Sequence, residues 1–139
     1  MSEENKDLVR RSWATSNTDV LDDAYIPDAV WHLPDQDIQG VENFKQYLTS
    51  YLDAFPDLNV TVEDEIAEGE KVVNRFTLRC THQGETEEFG PSTGRQIELK
   101  GMTISRIEGG KIVEEWQAYD NLSLLQQLEP DQPGGGEPV

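Results

Sequence analysis

Apolar positions follow a helical period in the first part of the chain and a strand period from Leu58 onward. Leu8, Val9, Ser12 and Trp13 recur at helical spacing within a charged segment, which predicts an N-terminal helix with Trp13 docked on a core. Thr18 can cap a second, short helix that buries Val20, Leu21, Ala24 and Tyr25, with Asp19 and Asp22 in its first turn and Pro27 at its end. Ala29–Leu33 reads as a short strand closed by Pro34, and a polar loop runs on to Gly40. Val41–Phe55 is the clearest helix. Phe44, Tyr47, Leu48, Tyr51, Leu52 and Phe55 give it a broad apolar stripe, and Pro56 stops it.

Leu58–Ala67 and Lys71–Cys80 read as strands joined by Glu68-Gly69-Glu70. On the second, Val72, Asn74, Phe76, Leu78, Cys80 and His82 share one face. A glycine-rich loop, Gln83–Gly94, precedes two further strands, Gln96–Ile107 and Lys111–Tyr119, which the Gly109-Gly110 turn joins as a hairpin. In the last strand Ile112, Glu114, Trp116, Ala118 and Asp120 share a face, and Val113, Glu115, Gln117 and Tyr119 share the other. Without a bulge, Asp120 lies beside Trp116, while Glu114 and Glu115 read as solvent or rim charges. A final helix, Asn121–Leu128, is expected to bury Leu122, Leu124, Leu125 and Leu128. Helices, a strand, a helix and then a run of antiparallel strands predict an α+β domain over residues 1–128, with helices laid on one side of a curved sheet. The glycine- and proline-rich residues 129–139 read as a flexible tail.

Charge adds to this picture. The 139 residues carry 28 acidic against 11 basic side chains, a formal net charge of -17, spread along the whole chain. Such a surface repels nucleic acid and anionic membranes and suits a salt-adapted, cytoplasmic host. No apolar run approaches the length of a membrane span and no cationic-then-apolar leader is present, so a soluble protein is expected. Cys80 is the single cysteine, and in an apolar strand it reads as a buried small residue. His32 and His82 are too few and too scattered for a metal triad.

Several segments follow one another in a recognisable order: V-W-H-L-P (Val30–Pro34), G-V-E-N-F (Gly40–Phe44), A-F-P-D-L (Ala54–Leu58), V-E-D-E-I-A-E-G-E-K-V-V (Val62–Val73), T-H-Q-G-E (Thr81–Glu85), P-S-T-G-R (Pro91–Arg95) and G-K-I-V-E-E-W-Q-A-Y-D (Gly110–Asp120). In this order the chain resembles the SnoaL-like polyketide cyclases, or ester cyclases, of the nuclear transport factor 2-like superfamily. The resemblance implies a cone-shaped, curved antiparallel or mixed sheet wrapped around N-terminal helices, with a hydrophobic pocket in its mouth. It also implies an intramolecular aldol reaction on a hydrophobic, polyketide-like ester, without metal or organic cofactor. The aspartate at the end of the last strand, here Asp120, would act as general acid and base. The strand before it, Gly101–Ile107, carries Thr103 and Ser105 rather than the family's histidine and glutamine.

Asp120 thus has two readings, a pocket carboxylate with a raised pKa or the cap of the final helix. His32 is either a pocket proton partner for Asp120 or a strand-end histidine satisfied by backbone. His82 reads as structural. Trp13, Tyr47, Tyr51, Phe55, Met102, Thr103, Ile104 and Trp116 are candidates to contact a small hydrophobic molecule. A homodimer is expected, because the outer face of an open sheet must be covered. The same architecture without chemistry, as a small-ligand-binding or oligomerisation module, is the alternative.

Overall fold

Residues 2–13, 20–86 and 89–128 are described in the structure, a computed structural model. Helices α1 (Ser2–Trp13) and α2 (Val20–Ala24) lead into strand β1 (Tyr25–His32), a short strand β2 (Asp37–Gln39) and helix α3 (Val41–Ala54). Strands β3 (Asn59–Glu68), β4 (Lys71–Thr81), β5 (Gln96–Glu108) and β6 (Lys111–Tyr119) follow, and helix α4 (Asn121–Leu128) closes the described chain. The six strands form one open sheet in the order β2-β1-β6-β5-β4-β3. All neighbours run antiparallel except β1 and β6, which are parallel. The α+β architecture with helices against a curved mixed sheet is therefore as expected.

The differences have local causes. The second helix ends at Ala24, and Pro27 lies inside β1 rather than terminating a helix. The β1–β6 register shifts between Tyr25 and Val30, and this break accommodates a residue that cannot donate to a ladder. The loop before Gly40 contains the edge strand β2, too short and polar to show a period. Thr18 and the 129–139 tail lie outside the described residues. Of the α4 leucines only Leu124 is buried; Leu122 and Leu125 are exposed, because an edge helix presents one narrow stripe to β5. At the β5–β6 turn Gly109 and Gly110 both adopt positive φ, 59° and 79°, as a type I′ turn requires.

Burial concentrates in two clusters on the inner face. The first joins Val9, Leu21, Tyr25 and Trp31 to Phe44, Val72 and Ile112; the second joins Ala54 and Phe55 to Cys80, Ile97, Leu99 and Leu124. Trp31 is fully buried and its ring stacks on Phe44, with centroids 4.1 Å apart and planes 3° from parallel. Such pairs add about 0.5–1.5 kcal/mol beyond their buried area.

Candidate active site

Between the two clusters the inner face leaves a cavity of about 140 Å³. That is roughly ten water volumes, enough for a small organic ligand. Its walls are apolar and aromatic: Leu21, Phe44 and Leu48 on one side, Phe55, Phe76, Leu99 and Leu124 on the other, with Tyr25, Tyr47, Tyr51 and Tyr119 between. Ser12, Gln117 and Glu115 supply the polar lining, and Glu115 is the one carboxylate among the described lining residues.

A β-bulge aims Glu115 inward. Ile107 pairs with Ile112 but Arg106 pairs with Glu114, so Val113 is an extra residue in β6. Ile112 faces the core; beyond the bulge the inner positions become Glu115, Gln117 and Tyr119. Glu115 is only 1% exposed. Its carboxylate accepts hydrogen bonds from the Tyr25 hydroxyl (3.1 Å to Oε1 and 3.0 Å to Oε2), from Ser105 Oγ (2.7 Å to Oε2) and, more weakly, from Gln117 Nε2 (3.5 Å to Oε1). Burial raises the Glu115 pKa above the usual carboxylate range, and the hydrogen bonds from Ser105 and Tyr25 oppose it only in part. Tyr25 is fully buried and held neutral, first by desolvation and then by the Glu115 charge. The site thus pairs a carboxyl group that burial makes a weaker acid than an exposed one with a phenol fixed as a donor.

Away from Glu115, the Tyr47 and Tyr119 hydroxyls meet at 3.3 Å, and burial raises the Tyr47 pKa far above its ordinary value. Tyr51 and Phe55 pack edgewise against Phe89 of the 83–95 loop. Burial pushes the Cys80 thiol, on the cavity wall, up to about 12, which leaves it an inert apolar group.

The structure sorts the residues singled out from sequence. Tyr47, Tyr51 and Phe55 line the cavity. Thr103 is fully buried on the inner face, in register with Gln117, but is not part of the lining. Met102, Ile104 and Trp116 lie on the outer face, because the Val113 bulge reverses the inward set of β6 and β5 pairs accordingly; Met102 is 50% exposed and Ile104 38%. Asp120 shares that outer side with Trp116 and is exposed. Its Oδ1 accepts from the Ser123 backbone N–H at 3.0 Å, so it caps α4 and does not reach the cavity. His32 is also outside: Nδ1 lies 3.0 Å from Asp37 Oδ1, Nε2 lies 2.6 Å from Glu114 Oε2, and the ring stacks on Trp116. It therefore partners neither Asp120 nor the cavity. The side chain of Trp13 lies outside the described part of the structure. His82 is fully buried, with Nδ1 3.0 Å from Thr93 Oγ1 and the ring against Phe55. Among the described residues no group of three or more His, Cys, Asp and Glu is placed to hold a metal ion, and no helix is long and apolar enough to cross a membrane.

Two expected results follow from the outer residues. Asp120→Ala should cost about 1 kcal/mol through loss of the α4 cap and leave ligand affinity unchanged; thermal melting with a ligand titration checks both. His32 has a raised pKa, chiefly through its hydrogen bond to Glu114 and secondarily through Asp37. The folded state then holds the His32 proton more tightly than the unfolded chain. That stability is fully present below the ordinary histidine value of about 6.5 and is lost as pH rises through the raised value. Melting curves of His32→Gln against the unmodified protein should differ at pH 5–6 and converge in the alkaline range.

Comparison with known proteins agrees with this architecture. The profile of the SnoaL-like polyketide cyclase family matches residues 5–128. A solved structure from Jannaschia sp. CCS1, provisionally described as a SnoaL-like polyketide cyclase, superposes with a TM-score of 0.83 at 21% identity, over 91% of this chain and 92% of that one. AclR of Streptomyces galilaeus, provisionally described as a hydroxylase, gives 0.80 at 29% identity over 96% and 91%. IdmH of Streptomyces antibioticus, provisionally described as a polyketide cyclase, gives 0.77 at 30% identity over 89% and 97%. No curated protein matches the chain. With the family profile spanning nearly its whole length and the cone and cavity in place, the chain belongs to the SnoaL-like polyketide cyclase family.

Proposed function

We propose that the protein is a cofactor-free cyclase or isomerase for a small hydrophobic carbonyl compound, with Glu115 as general acid and base. The observation that carries this reading is the buried Glu115 carboxylate, held by Tyr25 and Ser105 in an otherwise apolar hollow. The resemblance alone would have given this role to Asp120, which instead caps α4. In the proposed step Glu115 takes a proton from a carbon next to a carbonyl, and the resulting enolate attacks a second carbonyl of the same molecule. One carbon–carbon bond forms, and the new alkoxide recovers a proton from Glu115. Once Glu115 has taken the proton, the Tyr25 hydroxyl, buried and neutral, can turn its one hydrogen from Glu115 to the developing oxyanion. The aromatic walls hold a flat apolar skeleton close to the carboxylate, so the intramolecular step gains from orientation.

The test is turnover of a polyketide-like ester by the unmodified protein, Glu115→Gln and Asp120→Asn. Turnover lost in the first variant and kept in the second supports the assignment. Equal turnover in all three removes it. Saturable binding of a neutral apolar dye without turnover reduces the protein to a binding module of the same fold.

Self-association through the outer face is part of the same proposal. Ile66, Val73, Ile104 and Trp116 are register partners across β3, β4, β5 and β6, with Ile66 67% and Ile104 38% exposed. A contiguous apolar row of this kind is a candidate association surface. Light scattering should give twice the chain mass for the unmodified protein and the chain mass for Ile104→Glu; an unmodified monomer overturns the proposal.

A further inference from the structure

A second polar band crosses the inner face one rung away from Glu115. Gln117 pairs with Thr103, Thr103 with Asn74, and Asn74 with Glu65, across β6, β5, β4 and β3. Directly opposed positions on one face hold their Cβ atoms about 4.5–5.5 Å apart, so these side chains form one line. Asn74 and Thr103 are fully buried. The Asn74 amide nitrogen and oxygen, the Thr103 hydroxyl and Oε2 of Glu65 are all buried without a hydrogen-bond partner. Both ends of the line are tied. Gln117 Nε2 donates to Glu115 Oε1 at 3.5 Å, and Arg10 Nε donates to Glu65 Oε1 at 2.8 Å, with the Arg10 side chain 47% exposed.

Folded proteins satisfy nearly all buried polar groups, with protein or with ordered water. Convergent orphaned donors and acceptors are where internal water binds. We propose that the row Gln117–Thr103–Asn74–Glu65 is a hydrated track joining the cavity carboxylate of Glu115 to the surface beside Arg10, and that Glu115 exchanges its proton along it when a ligand fills the cavity. A carboxyl group sealed behind a bound ligand has no direct solvent contact and must exchange through the protein. In the outward direction a proton leaves Glu115 onto a water beside Gln117, and each water passes one proton on. Glu65 accepts one and releases it to solvent near Arg10. Only O–H bonds are exchanged, and the net change is one proton lost from Glu115. The proton path rests on the acid/base reading of Glu115, whereas the hydration does not.

Two measurements on the full chain separate these parts. Water-to-protein NMR contacts should appear at the Asn74 side-chain amide and the Thr103 hydroxyl; their absence from the unmodified protein overturns the proposal. Infrared detection of the Glu115 carboxyl band after a pH jump, with Glu115→Gln identifying the band and N-phenyl-1-naphthylamine filling the cavity, follows proton exchange. Asn74→Leu should slow that exchange at least tenfold, and Thr103→Val should slow it likewise if the leucine variant does not fold. Unchanged rates in a folded variant, or no Glu115 band at all, overturn the path. Water contacts that persist alongside full turnover in Glu115→Gln would leave the hydrated row standing and remove the catalytic reading instead.

Discussion

Glu115→Gln is expected to lower turnover by about 10²–10⁴-fold, the usual contribution of a positioned acid/base group, while the folded protein survives. Glutamine keeps the shape, and its carbonyl oxygen can still accept from Tyr25 or Ser105, but it can neither take nor return a proton. The stability effect depends on pH, and its sign follows from burial. Desolvation raises the Glu115 pKa, so the folded state binds that proton more tightly than the unfolded chain does. The resulting stability is fully present below the ordinary glutamate value of about 4.3 and is lost as pH rises through the folded value. Glutamine has no such titration. The advantage of the unmodified protein over the variant should therefore shrink across that window and level off above it, so the variant compares best at pH above the raised value. Turnover of the unmodified protein should rise with pH through the same raised pKa, above the range of a free carboxylate. A pH–rate profile and paired melting curves check the two limbs independently. An activity limb in the ordinary carboxylate range would mean that a solvated acid, and not Glu115, does the chemistry.

An outward-facing carboxylate stood out in the sequence because of one inserted residue. Uniform alternation from Ile112, a core residue, carries Glu114, Trp116 and Asp120 inward with it; the bulge at Val113 hands the inner face to Glu115, Gln117 and Tyr119 instead. A signal was present in the cross-strand chemistry. The two-glycine turn sets Glu108 opposite Lys111 and Ile107 opposite Ile112. Continuing without a bulge would face Arg106 with Val113 and Ile104 with Glu115. Slipping one residue faces Arg106 with Glu114, Ser105 with Glu115 and Ile104 with Trp116, each a better match. The apolar stripe of α3 was legible because its period is long and unbroken, and it delivered Tyr47, Tyr51 and Phe55 to the cavity wall. Tyr25 was hidden for another reason. It follows a short helix and opens a strand interrupted by Pro27, so no period spans it. Its role, like that of Ser105, exists only once β1, β5 and β6 are side by side.

Gly84→Ala should be among the most destabilising single-methyl additions available to this chain. The backbone of Gly84 runs against the end of α3: the amide hydrogens of Gln83 and Gly84 both bond to the Ala54 carbonyl oxygen at 3.0 Å. A Cβ at position 84 would fall 1.7 Å from the Asp53 carbonyl oxygen and 2.8 Å from its carbon. Neither atom can swing aside, since both belong to the last turn of a helix whose Tyr51 carbonyl already holds the Phe55 amide at 2.8 Å. Relief requires the 83–95 loop or the end of α3 to move, and either motion breaks the paired bonds to Ala54 and disturbs Phe55 and His82, which pack together at 5.5 Å. Overpacking against yielding side chains costs about 1–3 kcal/mol, so a clash between two backbones should reach roughly 3 kcal/mol or more. At about 3–4 °C per kcal/mol for a domain of this size, the melting temperature should fall by about 10 °C. The cavity should loosen with it, because Phe55 is one of its walls. Gly69→Ala is the control. Gly69, unlike Gly84, has a positive φ, 60°, but an added methyl there meets nothing within 4 Å, so only the left-handed backbone penalty of about 1–2 kcal/mol applies, and dye binding in the cavity should be unchanged. Equal melting temperatures for the two variants would mean that the Gly84 contact with α3 is not a fixed part of the fold.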